Sequence, residues 1–438
     1  MKLRLPHPFL LLLGAVLVAA GLTWVLPAGE YQRVANAAGQ MLVVPGTYSA
    51  VPSNPTSVMA LLLAVPRGIV MGTEVIVTIL FAGGAWALLD GTGALRRLIG
   101  ALLGTTAPPR VVVAVVATLF AAGGAAEAMG EEIIAMVPVL IVLARGLGFG
   151  VTTALAMSIG AAYVGGTFGP TNPFGGGLAL RVAELAPSTS IGLRFALLVV
   201  ALAVWVGWTL VYARRDTPEP VTASASEAAP SVRDYVSLAL AALPIVIYVV
   251  GVLKLNWGYN ELSGLFLVAG FLIGAAQAYD LRRTTEEFLK GMETMLVAGL
   301  FVGVARAISV LLTDAKVIDT IVSGLVAPLD GLPPLLSAAV MIPVHALIHL
   351  PVPSTSGQAV LTMPIMAPTA DLLGFSRDAA VMAYQGGAVA FDLINPTNGT
   401  LLAILLKANV PFGRWLRFAV PGYLLMVLVS LVGVFLLL

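Results

Sequence analysis

A short motif that occurs twice constrains the fold of this chain more than any other feature. Pro170-Thr171-Asn172 returns as Pro396-Thr397-Asn398, a shift of 226 residues. The same shift superposes Leu147-Gly148-Phe149 on Leu373-Gly374-Phe375. One common offset predicts that the chain consists of two related halves, each with a helix-breaking proline and polar residues inside apolar sequence. Paired, interrupted hydrophobic segments of this kind point to the binding site of a secondary transporter.

Composition identifies the solvent in which the chain folds. Of its 438 residues 59% are hydrophobic and 10% are charged, whereas soluble domains carry about 25% charged residues. Many stretches run about 20 apolar residues, the length that crosses a bilayer. The predicted fold class is therefore an all-α integral membrane protein, with the lipid bilayer and a small-molecule solute as its partners.

Several function classes are disfavoured by what the sequence lacks. A net charge of +1 without a large Lys/Arg cluster gives no reason to expect a nucleic-acid partner. The absence of cysteine excludes disulfides, thiol catalysis and thiolate metal sites. No His-Glu-x-x-His pattern and no phosphate-cradling loop occur, so neither an enzyme nor an ATP pump is indicated. We expect no cofactor, with Na⁺ as a candidate coupling ion.

Positive charge at the segment ends predicts the topology. Lys2 and Arg4 precede the first apolar segment, which places the N-terminus in the cytoplasm. Residues 111–145 have arginines on both sides and are interpreted as a re-entrant hairpin that enters from the cytoplasm. An extra crossing at 259–279 inverts the second half, so the second hairpin, 335–373, enters from outside. We expect about nine crossings plus two hairpins, in a bacterial-type cytoplasmic (inner) membrane.

The two halves are predicted to be inverted repeats joined by a linker. The first repeat is 1–215, the cytoplasmic linker is 216–232, and the second repeat is 233–438. The linker is rich in Pro, Ala, Ser and Thr and has no apolar periodicity. Each repeat is expected to contain one hairpin and one unwound transmembrane helix, interrupted at 167–177 in the first half and at 395–399 in the second.

The interrupted segments supply the candidate binding residues. Non-helical backbone at membrane depth persists only where it is buried in protein or lines a wet cavity. Half-helix N-termini direct partial positive charge at anions, and Ser, Thr and Asn oxygens suit Na⁺. The substrate-binding candidates are Thr167, Thr171, Asn172, Ser354, Thr355, Ser356, Gln358, Asn395, Thr397, Asn398 and Arg306. The ion-binding candidates are Glu127, Glu131, Glu132 and Asp392.

Each candidate also has a structural explanation. The asparagines could cap helices, Ser354–Ser356 could form an ordinary turn, and the glutamates could lie at the lipid–water interface. Arg306 lies mid-segment and needs a partner, which could be Asp392, a glutamate or a substrate carboxylate. His345 and His349 are four residues apart and could ligate a metal, although structural hydrogen bonding is favoured. Tryptophans near segment ends, such as Trp205 and Trp415, are expected to anchor at the membrane interface.

Four motifs resemble one known group of transporters. They are Met129–Pro138, Gly166–Gly175, Ser356–Pro368 and Leu393–Gly399. These sequences look like the YfcC-like branch of the C4-dicarboxylate anaerobic carrier family, within the ion transporter superfamily. The resemblance implies a scaffold domain, a transport domain that carries the hairpins, a homodimer and elevator-like movement. It also implies that 127–132 faces 167–172, and that 354–358 faces 395–398.

The expected function is secondary active transport, coupled to Na⁺ or H⁺, of a small organic solute that carries a carboxylate. Four acidic side chains around a dianion would repel it unless cations intervene. An amino acid or related amine is therefore favoured over a C4-dicarboxylate, which stays as the alternative. A channel and an intramembrane enzyme are the less favoured alternatives, because neither explains the repeat, the breaks and the acidic residues together.

Overall fold

Helices dominate the computed structural model, which describes residues 8–35, 41–94, 97–98, 101, 108–170, 172, 174–186, 188–216, 230–255 and 257–438. Most of the predicted linker, 217–229, lies outside the described residues. The helices are α1 Pro8–Val25, α2 Val58–Met71, α3 Thr73–Gly91, α4 Pro109–Glu127, α5 Glu131–Gly146, α6 Val151–Phe168, α7 Gly176–Val182, α8 Ile191–Ala213, α9 Val232–Leu255, α10 Tyr259–Ala276, α11 Leu281–Asp314, α12 Ile318–Val326, α13 Pro334–His349, α14 Thr355–Leu373, α15 Arg377–Tyr384, α16 Gly399–Lys407 and α17 Phe412–Leu436.

Two short antiparallel ladders occupy the polar stretch between α1 and α2. Strand β1 (Gly29–Glu30) pairs with β4 (Ser49–Ala50), and β2 (Arg33–Ala35) pairs with β3 (Met41–Val43). The sequence predicts no crossing in this stretch, and the ladders are too short to span a bilayer.

Seven described helices are long and apolar enough to cross a membrane: α3, residues 109–126 of α4, α6, α8, α10, α11 and α17. Gly72 separates α2 from α3. Helix α4, the first arm of the hairpin predicted at 111–145, has 19 residues, which is long enough to cross a membrane.

Close helix packing explains several glycines inside the helices. The pair Gly123-Gly124 lies inside α4, and the helix continues through it. A Cβ atom on Gly124 would lie 1.9 Å from the carbonyl oxygen of Ala162 in α6. Likewise, a Cβ on Gly68 of α2 would lie 2.3 Å from the carbonyl oxygen of Gly303 in α11. Small residues of this kind allow membrane helices to approach backbone to backbone.

Four irregular segments meet in the middle of the structure. Two are breaks in helical segments, between α6 and α7 and between α15 and α16. The other two are the short turns between α4 and α5, here called tip one (128–130), and between α13 and α14, called tip two (350–354). Each broken helix also contains a π-helical turn, Ala156–Gly160 in the first half and Gln385–Val389 in the second. Such turns occur frequently at functional sites.

Two tryptophans donate hydrogen bonds to backbone carbonyls of the broken helical segments. Trp205 and Trp415 are fully buried. Trp205 donates its indole N–H to the carbonyl of Ala156 at 2.9 Å, and Trp415 donates to the carbonyl of Leu393 at 2.7 Å. The interpretation of these two residues as interface anchors is wrong, because both are buried inside the protein and donate to backbone carbonyls of the broken helical segments.

Candidate functional site

A cavity lies where the two tips and the second break face helices α10 and α11. Its volume is ≈ 160 Å³, room for about five water molecules or one small organic solute. Its lining residues are Val75, Ala128, Gly130, Glu131, Tyr163, Phe174, Tyr259, Val302, Ala305, Arg306, Pro353, Ser354, Thr355, Ser356, Asp392, Asn398, Gly399 and Thr400. Seven of the predicted site residues are among them: Glu131, Arg306, Ser354, Thr355, Ser356, Asp392 and Asn398.

Arg306 presents a cation to this cavity. Among the described residues, no side chain lies within salt-bridge or hydrogen-bond distance of its guanidinium group. Asp392 does not pair with it, in contrast to one alternative from the sequence, because its carboxylate bonds to His349 and Asn398 instead. Glu131 is close enough to interact electrostatically with both Arg306 and Asp392. The cavity therefore combines one unpaired cation with two carboxylates.

Tip two presents the start of α14 to the cavity. Ser354 is the N-cap of α14, and its hydroxyl accepts a hydrogen bond from the backbone N–H of Gly357 at 3.3 Å. The carbonyl of Thr355 accepts from the hydroxyl of Tyr384 at 2.5 Å. Ser354–Ser356 therefore form a helix-capping turn and also line the cavity, so both interpretations from the sequence apply. The positive end of the helix dipole and these hydroxyl groups favour an anion here.

The second break contributes Asn398 and its acidic neighbour. Asn398 donates from Nδ2 to Asp392 Oδ1 at 2.6 Å and to the hydroxyl of Tyr163 at 3.1 Å. Its Oδ1 accepts from the backbone N–H of Leu401 at 2.9 Å, which caps α16. Asn398 is thus both a helix cap and a cavity residue.

Tip one makes a contact that the family resemblance does not imply, whereas tip two faces the implied break. Beside tip one, Glu131 at the start of α5 accepts at Oε1 from the hydroxyl of Thr400 at 3.0 Å, at the start of α16 directly after the second break. Tip two contacts its own break, where the hydroxyl of Thr397 donates to the carbonyl of Leu350 at 2.9 Å. It also lies near the first break, since a Cβ on Gly175 would be 3.5 Å from Thr355 Cγ2. The cavity thus draws lining residues from both tips and from the second break, and Phe174 lines it from the first break.

The predicted residues of the first half lie largely outside the cavity. Thr167 is buried and donates to the carbonyl of Tyr163 at 2.8 Å. Asn172 is fully buried; its Nδ2 donates to the carbonyl of Gly166, and its Oδ1 accepts from the backbone N–H of Gly175, both at 3.0 Å. Glu132 is buried and accepts from the N–H of Gly130 at 3.1 Å. Thr171 and the side chain of Glu127 lie outside the described part of the chain.

Three predicted residues of the second half lie behind the cavity. Asn395 Oδ1 accepts from the backbone N–H of Thr397 at 2.9 Å, which stabilises the turn of the break. Gln358 is fully buried between His345 and His349. In the described residues no group of three or more His, Asp or Glu side chains is arranged to hold a metal. The two histidines are held by hydrogen bonds to Gln358 and Asp392.

Sequence reasoning did not select the aromatic side chains of the cavity, and it did not link His349, which is buried behind the cavity, to the site. Tyr163, Phe174 and Tyr259 line the cavity, and Phe174 stacks on Tyr259 with ring centroids 6.2 Å apart. Tyr163 lies about one and a half helical turns before the end of α6, where the first break begins, a spacing that could have indicated it. His349 lies one residue before tip two, a position that could have linked it to the site.

The chain is similar to several known proteins. A Haemophilus influenzae protein described only as "Uncharacterized protein" is 26% identical over 96% of this chain and 95% of its own length. The Escherichia coli K12 protein described as "Putative basic amino acid antiporter YfcC" is 28% identical over 78% of this chain and 73% of its own length. The solved YdaH transporter of Alcanivorax borkumensis has a TM-score of 0.49 at 17% identity, with 98% of each chain covered.

The family model for C4-dicarboxylate anaerobic carriers matches residues 5–438, nearly the whole sequence. The protein is accordingly a multi-pass membrane protein, in agreement with its apolar helices. The chain belongs to the C4-dicarboxylate anaerobic carrier family, whose members are membrane transporters and not enzymes.

Proposed function

We propose that the protein is a secondary active transporter of a small organic solute that carries both a carboxylate and an amine. The observation that carries this proposal is the unpaired Arg306 in one cavity with Glu131 and Asp392. The solute's carboxylate binds Arg306 and the N-terminus of α14. Its amine binds the two acidic side chains, Glu131 and Asp392, that line the same cavity. An amino acid has both groups within a few bonds of each other and fits a cavity of ≈ 160 Å³.

A C4-dicarboxylate is the second candidate, and the description of the family favours it. Two carboxylates would require two cationic partners. Among the described lining residues Arg306 is the only cationic side chain, and Glu131 and Asp392 repel a second anionic group. The description of the Escherichia coli relative as a basic amino acid antiporter also favours an amine-bearing solute. We therefore prefer an amino acid.

The proposed transport cycle uses the inverted repeat. Tips one and two and the two broken helices move as an elevator against α3, α10 and α11, and carry the solute between the two membrane faces. Coupling to Na⁺ or H⁺ supplies the driving force. The proposed setting is a homodimer in the cytoplasmic membrane, with the N-terminus in the cytoplasm and about nine crossings plus two hairpins.

Counterflow in proteoliposomes tests this function. Liposomes loaded with unlabelled L-arginine, L-alanine or succinate are diluted into labelled solute, with protein-free liposomes as the control. We expect saturable uptake of an amino acid that unlabelled amino acid inside the liposome accelerates. Counterflow of succinate and of neither amino acid would show that the substrate is a dicarboxylate. Flux that never saturates would favour a channel.

A further inference from the structure

A line of buried polar side chains leads from the cavity into the protein behind tip two. Asp392 borders the cavity, and its Oδ1 lies 3.1 Å from Nε2 of His349. Nδ1 of His349 lies 2.6 Å from Oε1 of Gln358, whose Nε2 is 3.3 Å from Nδ1 of His345. Both histidines and Gln358 are fully buried. Buried polar groups arranged in this way restrict one another's hydrogen positions.

Gln358 determines which nitrogen of His349 carries a hydrogen. Its Nε2 donates to the backbone carbonyl of His345 at 2.9 Å, and a carbonyl oxygen can only accept. Oε1 of Gln358 therefore faces His349, and it too can only accept. Nδ1 of His349 must donate across the 2.6 Å contact, so the neutral ring has its lone pair on Nε2.

Asn398 determines in the same way that Oδ1 of Asp392 is a hydrogen-bond acceptor. Its Oδ1 accepts from the backbone N–H of Leu401, so its Nδ2 donates to Oδ1 of Asp392 at 2.6 Å. A neutral His349 would then direct the lone pair of Nε2 at a carboxylate oxygen 3.1 Å away. Two acceptors at this distance repel each other. The contact is favourable only with a proton between them, as an imidazolium–carboxylate pair or as a protonated carboxyl beside a neutral ring.

We infer that the His349–Asp392 pair is the proton-binding site of the transporter and that H⁺ is the coupling ion, an inference that rests on the proposed function. With the proton bound the pair is neutral, and without it the pair carries one negative charge. Oδ2 of Asp392 accepts no hydrogen bond from the described residues. A solute amine that reaches this carboxylate from the cavity neutralises the same charge. Proton and amine therefore exclude each other, which produces exchange of H⁺ for solute.

The surroundings favour a proton over Na⁺ at this position. Na⁺ sites in transporters are built from oxygens, whereas Oδ1 of Asp392 faces two nitrogen groups, on His349 and Asn398. The other charged or titratable groups that face the pair are Glu131 from α5, Arg306 from α11, Tyr163 from α6, His345 from α13 and Tyr384 from α15.

Nitrogen-15 NMR of histidine-labelled protein in liposomes tests the proton site without any solute. The chain has three histidines, and loss of one signal in His349→Gln identifies the ring. We expect Nδ1 of His349 to be protonated at every pH and one proton to titrate at Nε2 or at the Asp392 carboxyl. Asp392→Asn should abolish that titration, and Gln358→Leu, which removes the acceptor at Nδ1, should restore a mixture of tautomers. A neutral ring with its hydrogen on Nε2 at all pH values would overturn the inference.

Transport in the absence of Na⁺ tests the coupling. With L-arginine as the probe, a pH gradient should change its accumulation about tenfold per pH unit, because one unit corresponds to about 1.4 kcal/mol per proton. Arginine counterflow that responds to Na⁺ and ignores pH would overturn H⁺ coupling and leave the proposed function intact. Absence of saturable counterflow for every solute tested would instead refute the proposed function, and the NMR titration would still decide the proton site.

Discussion

The two Pro-Thr-Asn breaks have the same local geometry and different surroundings. Each asparagine donates from Nδ2 to an acceptor six residues earlier and accepts at Oδ1 from a backbone N–H three residues later. For Asn172 the acceptor is the backbone carbonyl of Gly166, away from the cavity. For Asn398 the acceptor is the carboxylate of Asp392, which borders the cavity. The motif itself is therefore a helix cap, and the residue six positions earlier decides whether it belongs to a site.

The offset of 226 makes this difference explicit. It superposes Asp392 on Gly166 and His349 on Gly123. Where the second half has a carboxylate and an imidazole, the first half has glycines that allow close packing, as at Gly123 against Met129. The polar side chains of the cavity are therefore concentrated at positions of the second half that correspond, by this offset, to glycines in the first.

The largest effect is expected at Arg306, which the offset superposes on Leu80. Arg306→Ala removes the cavity's cation, and hydrogen bonds to charged groups contribute about 1.5–3 kcal/mol. We expect the apparent affinity for an amino acid to fall roughly 10- to 100-fold, measured as the KM of proteoliposome uptake. Arg67→Ala is the matched control, because Arg67 forms a half-exposed ion pair with Asp314 outside the cavity. An unchanged KM in Arg306→Ala would mean that this arginine of the second half does not bind the solute, which contradicts the functional difference between the halves.

Asn398→Ala should have the next largest effect on transport. The change removes a donor from Asp392 and the cap of α16, so a loss of roughly tenfold in KM is expected from one charged hydrogen bond. Loss of the cap alone should cost about 1 kcal/mol of stability. Normal uptake by this variant would reduce Asn398 to a cap, like its counterpart in the first half.

Asn172→Ala should affect stability and not transport. Its side chain is fully buried and bonds three backbone groups, and unsatisfied buried groups cost about 1–3 kcal/mol each. We expect a lower melting temperature in detergent and an unchanged KM for the protein that remains folded. A raised KM at normal stability would contradict the structural role of Asn172 and indicate that it contributes to binding.

The smallest effect is expected for Tyr163→Phe. Tyr163 belongs to the first half, yet its hydroxyl accepts from Asn398 in the second half. Removal of one neutral hydrogen bond costs about 0.5–1.5 kcal/mol, so the KM should rise by a few-fold at most. A change as large as that in Asn398→Ala would mean that the first half contributes more to the site than its hydrogen bonds indicate.

Pattern and composition predicted which segments form the site better than which individual residues line it. The breaks, both tips and the acidic and serine-rich segments follow from polar residues and prolines inside apolar runs. Asn172 and Asn398 are indistinguishable by motif, however, because the capping bonds of both are local. Arg306 was selected because an arginine in the middle of an apolar helix needs a partner. The binding roles of all these residues stay predictions.

The inverted topology, the hairpins, the crossing count and the homodimer also stay predictions. The sequence by itself determined that this chain is a helical membrane protein of a transporter family, because hydrophobic length and paired helix breaks are local properties. Only the tertiary structure decided that tip one faces the second break, that Asp392 pairs with His349 and not with Arg306, and that the first-half asparagine is buried away from the cavity. These contacts join residues far apart in the chain, and their geometry depends on how closely glycine-lined helices pack.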